Sequence, residues 1–433
     1  MAHSQKDAMD TDLISRRLTA LTRAHLVPGA QLAVLRDGTT WTREVGLTPD
    51  TPVPIGSITK TFTAAVAMAL VSDGDLELDE PLAEHLPEVG DDLTLRHLLS
   101  HTGGLPSDPE DVRATSLRRY VRDAVRSLDQ LHRPGDGFSY SNIGYVLVGH
   151  LIELATGMTW ADAVDSILLR PLGSRGRFTV GAAADDAIAT GHAVNPTTGR
   201  VVPVRQSLSV VDAPAGALAA SARDLVAFGA VLAGAPPHLV APAELKLMRT
   251  PAPGAEPFGM ADGWGLGLAL FDGEGSTWVG HDGTADGTSC HLRIDPDDGT
   301  VVALTTTGST GFALWRDLVP ELARAGLPVG DYRALRGMEL PIPPPRECTG
   351  SFRNGDTEYR VRAAGEEVLE LTVDGEPFAD LSLFDGLVFA MRDSDTGDTN
   401  QTGRFLRDPD DGRVEWIQIG GRLARKQVRE MSR

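Results

Sequence analysis

The sequence predicts an α+β protein in two parts: an antiparallel sheet flanked by helices and carrying a helical insertion, then a small antiparallel β-domain. Three observations lead there. Strand-like runs lie near both ends of the first 340 residues, with mainly helical spacing between them. Pro341-Ile342-Pro343-Pro344-Pro345 is a stiff break. After it the texture is only strand and turn. The predicted parts are 1–340, with the insertion at about 75–175, and 346–433.

Leu13, Ile14, Leu18 and Leu21 mark an amphipathic first helix that stops before Pro28-Gly29. Ala30 to Leu35 and Thr39 to Val45 read as strands joined by an Asp37-Gly38 hairpin turn. Phe62, Ala65, Val66, Ala69 and Leu70 predict a buried helix opened by Ser57 and ended by Gly74. In the insertion, helices are expected over 94–100, 107–131, 143–155 and 160–169. Ser221-Ala222-Arg223-Asp224 is a capping box before a helix through Leu232. Strands follow over 264–271, 277–280, 289–295 and 301–306, and a last helix over 315–325. In the second part, Asn354-Gly355, Asp374-Gly375, Asp385-Gly386 and Asp411-Gly412 supply the turns of a barrel or strongly curved sheet.

The bulk numbers narrow the function. With 433 residues, 41% of them hydrophobic and 23% charged, this is an ordinary globular composition. A net charge of −20 argues against nucleic acid or an anionic membrane as partner. Two cysteines, Cys290 and Cys348, imply no disulfide framework. Residues 1–12 have no basic-then-apolar leader, and no apolar run reaches the ~18 residues needed to span a bilayer. A cytoplasmic protein is expected. His97, His132 and His150 have no metal-ligand spacing, so neither metal nor cofactor is expected.

The candidate chemistry starts at Ser57-Ile58-Thr59-Lys60. Lys60 lies one helical turn after Ser57, on the same face. A hydroxyl, an amine to take its proton and free N–H groups at a helix start together suit acyl transfer. The same four residues also suit an N-cap serine and a surface lysine. Tyr140-Ser141-Asn142 precedes a helix, and His281-Asp282-Gly283-Thr284 ends a strand. Singly, Tyr140 reads equally as a core tyrosine with a satisfied hydroxyl, Asn142 as an N-cap, and His281 as a turn cap.

In order and together, these motifs resemble the penicillin-recognising serine enzymes, most closely the class C β-lactamase branch with its DD-peptidases, D-aminopeptidases and esterases. His101-Thr102-Gly103-Gly104-Leu105-Pro106 and Trp264-Gly265-Leu266-Gly267 match two further stretches of that branch. The resemblance covers about residues 10–335. It implies Ser57 as nucleophile, with Lys60 and Tyr140 moving its proton; which of the two is the base stays open. It also implies Asn142 orienting the substrate amide and Lys60, the N–H groups of Ser57 and Thr284 as an oxyanion hole, and Asp282 and Gly283 beside substrate. His281 stands where β-lactamases have lysine, which makes a weaker carboxylate anchor; efficient β-lactam hydrolysis is not expected. The chain is most similar to the penicillin-binding-protein-type thioesterases, which carry a C-terminal lipocalin-like domain and cyclise nonribosomal peptides. That implies a peptidyl thioester or ester substrate, on a carrier-protein domain, ending in a D-residue. An esterase or D-specific peptidase, and a non-catalytic binding protein, are the competing readings.

Overall fold

The computed structural model describes residues 9–427, apart from 91, 110–113, 126–127, 182–184, 334–339, 366, 395–396 and 398. Helix α1 (Thr11–Ala24) buries Ile14 and Leu18. Strands β1 (Ala30–Arg36) and β2 (Thr39–Val45) join through Asp37 and Gly38, whose φ values of 50° and 73° suit a two-residue hairpin. After β3 (Val53–Pro54) comes α2 (Thr59–Asp73), ended by left-handed Gly74. The insertion holds α3 (Leu95–Leu99), α4 (Leu117–Ala124), α5 (Asn142–Thr156) and α6 (Trp160–Val164), with a π-helical turn at Asp165–Leu169. Then come β4 (Arg177–Phe178), β5 (Gly191–Asn195), β6 (Arg200–Val204), α7 (Ala213–Gly216) and β7 (Leu218–Ala220). Helix α8 (Ala222–Leu232) has the expected Ser221–Asp224 capping box, and α9 (Pro242–Met248) follows. Strands β8 (Gly263–Trp264), β9 (Ala269–Asp272), β10 (Thr277–Ala285), β11 (Thr288–Ile294) and β12 (Val301–Thr306) precede α10 (Gly311–Arg324).

Seven strands form one antiparallel sheet in the order β2-β1-β12-β11-β10-β9-β8, so both ends of this region build it. One face packs on α1 and α10 through Ile14, Leu32, Leu304 and Leu318. The other packs on α2 and α8 through Phe62, Phe228 and Leu292, with α5 packed behind α2. Phe62 and Phe228 stack at 3.7 Å, locking α2 to α8.

Two expectations change. Of the helix expected over 107–131, part of which lies outside the described residues, only Leu117–Ala124 is helical, because Ser116 caps it there and the chain beyond 128 runs irregularly to Ser141. The strand expected over 264–271 breaks at Gly267, whose φ is +78°. Its main chain bonds elsewhere: the Gly267 N–H donates to Leu99 O, and Thr61 Oγ1 donates to Gly267 O at 3.0 Å.

The second part is a closed antiparallel barrel of the lipocalin-like kind, built from β13 (Gly350–Asn354), β14 (Thr357–Ala363), β15 (Val368–Val373), β16 (Glu376–Leu383), β17 (Val388–Asp393), β18 (Thr399–Arg407), β19 (Val414–Ile419) and β20 (Arg422–Lys426). Phe352, Leu371, Leu381, Phe389, Phe405 and Ile417 fill it. The four Gly-containing turns fall between strands as expected, each Gly at positive φ. The linker is held too, since the Ile342 N–H donates to Leu383 O at 2.7 Å. Cys290 and Cys348 are buried and free.

The barrel docks on the insertion through one end. The Tyr140 N–H donates to Gly421 O at 3.0 Å, and the Leu423 N–H to Ser139 Oγ at 3.2 Å. Asn354 Oδ1 accepts from the Ser107 N–H at 2.8 Å, while its Nδ2 donates to Leu423 O at 2.7 Å. Thus the β19–β20 turn lies directly against the segment that carries Tyr140.

Candidate active site

Ser57 sits in a 3₁₀ turn, Gly56–Ile58, that feeds α2, and neither element has a side-chain cap. The hydroxyl is therefore not spent on capping. The turn packs against β10, where β11 pairs along 279–285 but β9 pairs only with Thr277–Gly280 and leaves its side of 281–285 open. Two glycines permit the approach. Gly56 has φ +52°, and a Cβ there would lie 2.1 Å from Thr284 O. A Cβ on Gly283 would lie 1.9 Å from Ile55 O. Only glycine brings the Ser57 and Thr284 main chains this close.

Lys60 is fully buried on the first turn of α2. Its Nζ donates to Ser57 Oγ at 3.1 Å and to Ala215 O of α7 at 2.8 Å. The Tyr140 ring lies 4.9 Å from the same nitrogen. Burial brings the Lys60 pKa down to about 7; Arg422 helps, and Asp108 and Asp212 oppose. The amine is thus substantially neutral near neutrality, and it already touches the serine hydroxyl.

Tyr140 is buried, and its hydroxyl meets no described residue in good hydrogen-bond geometry, the Ser57 hydroxyl being the side-chain group close enough to act on it. Burial raises its pKa well above the usual phenol value, with the nearby Ser57 hydroxyl pulling the other way. A phenolate held by Lys60 is therefore disfavoured, and neutral phenol beside amine is the preferred state. The satisfied core tyrosine fails on the same fact. The N-cap reading of Asn142 fails as well, because Ser141 caps α5, accepting from the Gly144 N–H at 3.1 Å.

Asn142 does not orient Lys60, whose donors go to Ser57 and Ala215; its Nδ2 donates instead to Asp108 Oδ1 at 2.5 Å. His281 is buried, and burial brings its pKa down to about 4, with Lys60 adding to the effect. It is a neutral ring and no cationic anchor. Its Nδ1 lies 2.5 Å from Asp282 O, so it donates there and leaves an acceptor lone pair on Nε2.

Asp282 points elsewhere than its neighbours. Strand alternation turns its carboxylate to the opposite face of the sheet from Gly283, where it accepts from His291 Nδ1 and Arg293 Nη1, both at 2.7 Å. Burial opposes its charge, but Arg293 and His291 hold the carboxyl well below the usual range.

Pattern reading did not single out three contributors. His101 is buried at φ +57°, a strained conformation for a non-glycine residue, and its Nδ1 accepts from the Ser141 N–H at 3.1 Å. Its ring lies 4.3 Å from that of Tyr140. Arg422 comes from the barrel and lies 5.3 Å over the Tyr140 ring. Asp212 starts the turn that delivers Ala215 O; burial raises its pKa. Only His101 left a signal, in the glycine-rich stretch around it. His97, His132 and His150 lie elsewhere: His97 completes the Thr94 capping box, His132 sits beside Arg133 O, and His150 faces Glu153.

The assembled groups are those of acyl transfer: a hydroxyl, a neutral amine touching it, a buried phenol and a close main-chain edge. Comparison with known proteins agrees. The beta-lactamase family profile matches residues 14–325. Penicillin-binding protein 4 of Amycolatopsis lactamdurans is 33% identical over 76% of this chain and 92% of its own. The crystal structure of SurE is similar with a TM-score of 0.85 and 39% identity over 96% of this chain and 98% of that one. A D-stereospecific amidohydrolase from Streptomyces sp. is similar with a TM-score of 0.61 and 27% identity, over 73% of this chain and 98% of that one. Fold, site and comparisons lead to one conclusion: the chain belongs to the beta-lactamase family, among its penicillin-binding-protein-like serine hydrolases.

Proposed function

We propose that this protein is a serine acyltransferase that takes a peptide from a thioester or ester at its C-terminal D-residue and closes it into a macrolactam. The observation that carries the chemistry is Lys60 Nζ, fully buried and 3.1 Å from Ser57 Oγ. Neutral Lys60 accepts the Ser57 proton as Oγ attacks the carbonyl. The N–H groups of Ser57 and Thr284 stabilise the oxyanion, which is most effective where water is excluded. Tyr140 passes the proton on to the leaving sulfur or oxygen. The peptide's own amine then attacks the acyl-enzyme carbonyl, helped by its high effective concentration; the ester bond to Ser57 Oγ breaks, and the amine's proton returns through Tyr140 and Lys60 to that oxygen.

Three features support cyclisation at a D-residue. The sequence resembles the penicillin-binding-protein-type thioesterases. The similar protein SurE has been solved with D-Leu, at 38% identity and a TM-score of 0.80. The barrel roofs the Tyr140 side of the site, which favours an internal amine over water. A carrier-protein domain as donor and a cytoplasmic location belong to the same reading; no helix among the described residues is long and apolar enough to cross a membrane.

A hydrolase is the second reading, favoured by the likeness to the D-stereospecific amidohydrolase. The test is a pair of thioester-mimic peptides differing only in the chirality of the last residue, with products separated by mass. Macrolactam from the D-form alone is expected. Equal rates for both forms would remove the D-selectivity, and linear acid as the sole product would favour the hydrolase.

A further inference from the structure

Behind the strand edge that faces Ser57 lies a buried ionic assembly that the acyl-transfer steps do not use. Arg293 of β11 is fully buried. It donates to Asp282 through Nη1 at 2.7 Å and Nη2 at 3.1 Å, and to Asp331 through Nη2 at 2.7 Å. Its guanidinium lies 3.6 Å over the Phe271 ring. His291 donates to the same Asp282 carboxylate at 2.7 Å and stacks on Trp315 at 4.8 Å with the planes 8° apart. The Asp282 carboxylate is thus gripped by two buried side chains that are themselves wedged between β11 and α10.

Asp282 sits between His281 and Gly283, both of which face the site. Its main-chain carbonyl is the acceptor that fixes the His281 tautomer. The peptide beyond it leads to Gly283, in contact with Ile55, and to Thr284, in contact with Gly56. β9 does not pair with this part of β10, so the ladder on that side gives it no support. β11 pairs with 279–285 along the other side, and the ionic grip adds a second hold through the Asp282 side chain.

We infer that Asp282 is a positioning residue: held by Arg293 and His291, it sets the placement of the Thr284 N–H and of His281 Nε2 relative to Ser57. The inference rests on Ser57 being the nucleophile. Asp331 provides the internal control, because it binds the same Arg293 yet lies outside β10. Any purely stabilising service to Arg293 is shared by the two carboxylates; placement of the edge belongs to Asp282 alone.

The experiment compares Asp282→Asn and Asp331→Asn with wild type, using the p-nitrophenyl ester of N-acetyl-D-leucine. Active enzyme is counted by mass spectrometry of the Ser57 acyl adduct, and folding by melting temperature. Asp282→Asn is expected to lower kcat about 10- to 100-fold, as displacement of reacting groups by a fraction of an ångström does. KM should stay within about twofold, since the acyl pocket is untouched. Asp331→Asn should keep kcat within about threefold even if it melts earlier. Equal rate losses in both variants, or a normal kcat per folded Asp282→Asn molecule, would overturn the inference. A wild-type enzyme that acylates elsewhere than Ser57 would overturn it together with the nucleophile assignment, whereas a normal wild-type adduct isolates the failure to Asp282.

Discussion

Lys60 and Arg293 are both basic side chains without solvent exposure, one on each side of β10, and they have opposite fates. Arg293 faces two carboxylates, so the charge that burial disfavours is retained and its pKa is raised. Lys60 donates to a hydroxyl and a main-chain carbonyl, both neutral, and burial wins. The nearest acids, Asp108 and Asp212, oppose the shift without cancelling it. A buried cation given carboxylates becomes a strut. Given neutral acceptors, it gives up its charge near ordinary pH.

The same substitution at the two positions breaks that comparison if it is wrong. Lys60→Met should lower the acylation rate at least about a thousandfold, the range for losing a general base from a coupled unit. Tyr140→Phe should cost about a hundredfold or more, and the double variant little beyond Lys60→Met, as groups in one proton path are not additive. Stopped-flow acylation checks both, and additive losses would separate the two residues.

Stability should move in opposite directions. Arg293→Met strands Asp282 and Asp331, and should cost about 3 kcal/mol, at the low end for buried pairs because both carboxylates keep some exposure. Lys60→Met removes an amine that burial disfavours, and should stabilise by about 2 kcal/mol at pH 6. The sign follows from linkage. With a folded pKa of about 7 against 10.5, the unfolded chain holds the extra proton in between, so wild-type stability rises from pH 7 to pH 10. The advantage of Lys60→Met should therefore shrink over that window. Urea unfolding at pH 6, 8 and 10 measures it, and an advantage independent of pH would contradict the lowered pKa.

Much of this was legible in the sequence, for reasons the two basic residues make plain. Ser57 and Lys60 are close in sequence, and helical spacing alone puts them on one face. Gly74, Asp37-Gly38 and the barrel turns were legible because positive φ leaves a compositional mark. Partners far apart in sequence were not. Asp282 was named with the rest of the 281–284 motif, and only its pairing opposite His291 and its bonds to His291 and Arg293 reveal which face it takes. The extent of α4 was decided by the Ser116 cap and not by the apolar spacing. Arg422 lies more than 350 residues from Ser57, in a domain whose own pattern specifies only a barrel.

Arg422 gives the smallest of the expected effects and the sharpest test of how the two parts cooperate. Its guanidinium lies 5.3 Å over the Tyr140 ring and is the second cause, after burial, of the low Lys60 pKa. Removing it should let the Lys60 pKa rise, leaving less neutral amine at pH 7. In a kcat/KM profile the wild-type rise should centre near pH 7, where the free enzyme's base loses its proton. For Arg422→Gln that rise should move to higher pH, while the plateau above pH 9 stays at the wild-type level. A guanidinium that instead bound the substrate's own carboxylate would lower the plateau at every pH and leave the midpoint in place. Since the barrel docks through main-chain bonds at Gly421 and Leu423, the substitution leaves the docking contacts intact. A moved midpoint then means that the barrel tunes the base of the neighbouring domain, and an unmoved one assigns the lowering of the Lys60 pKa to burial alone.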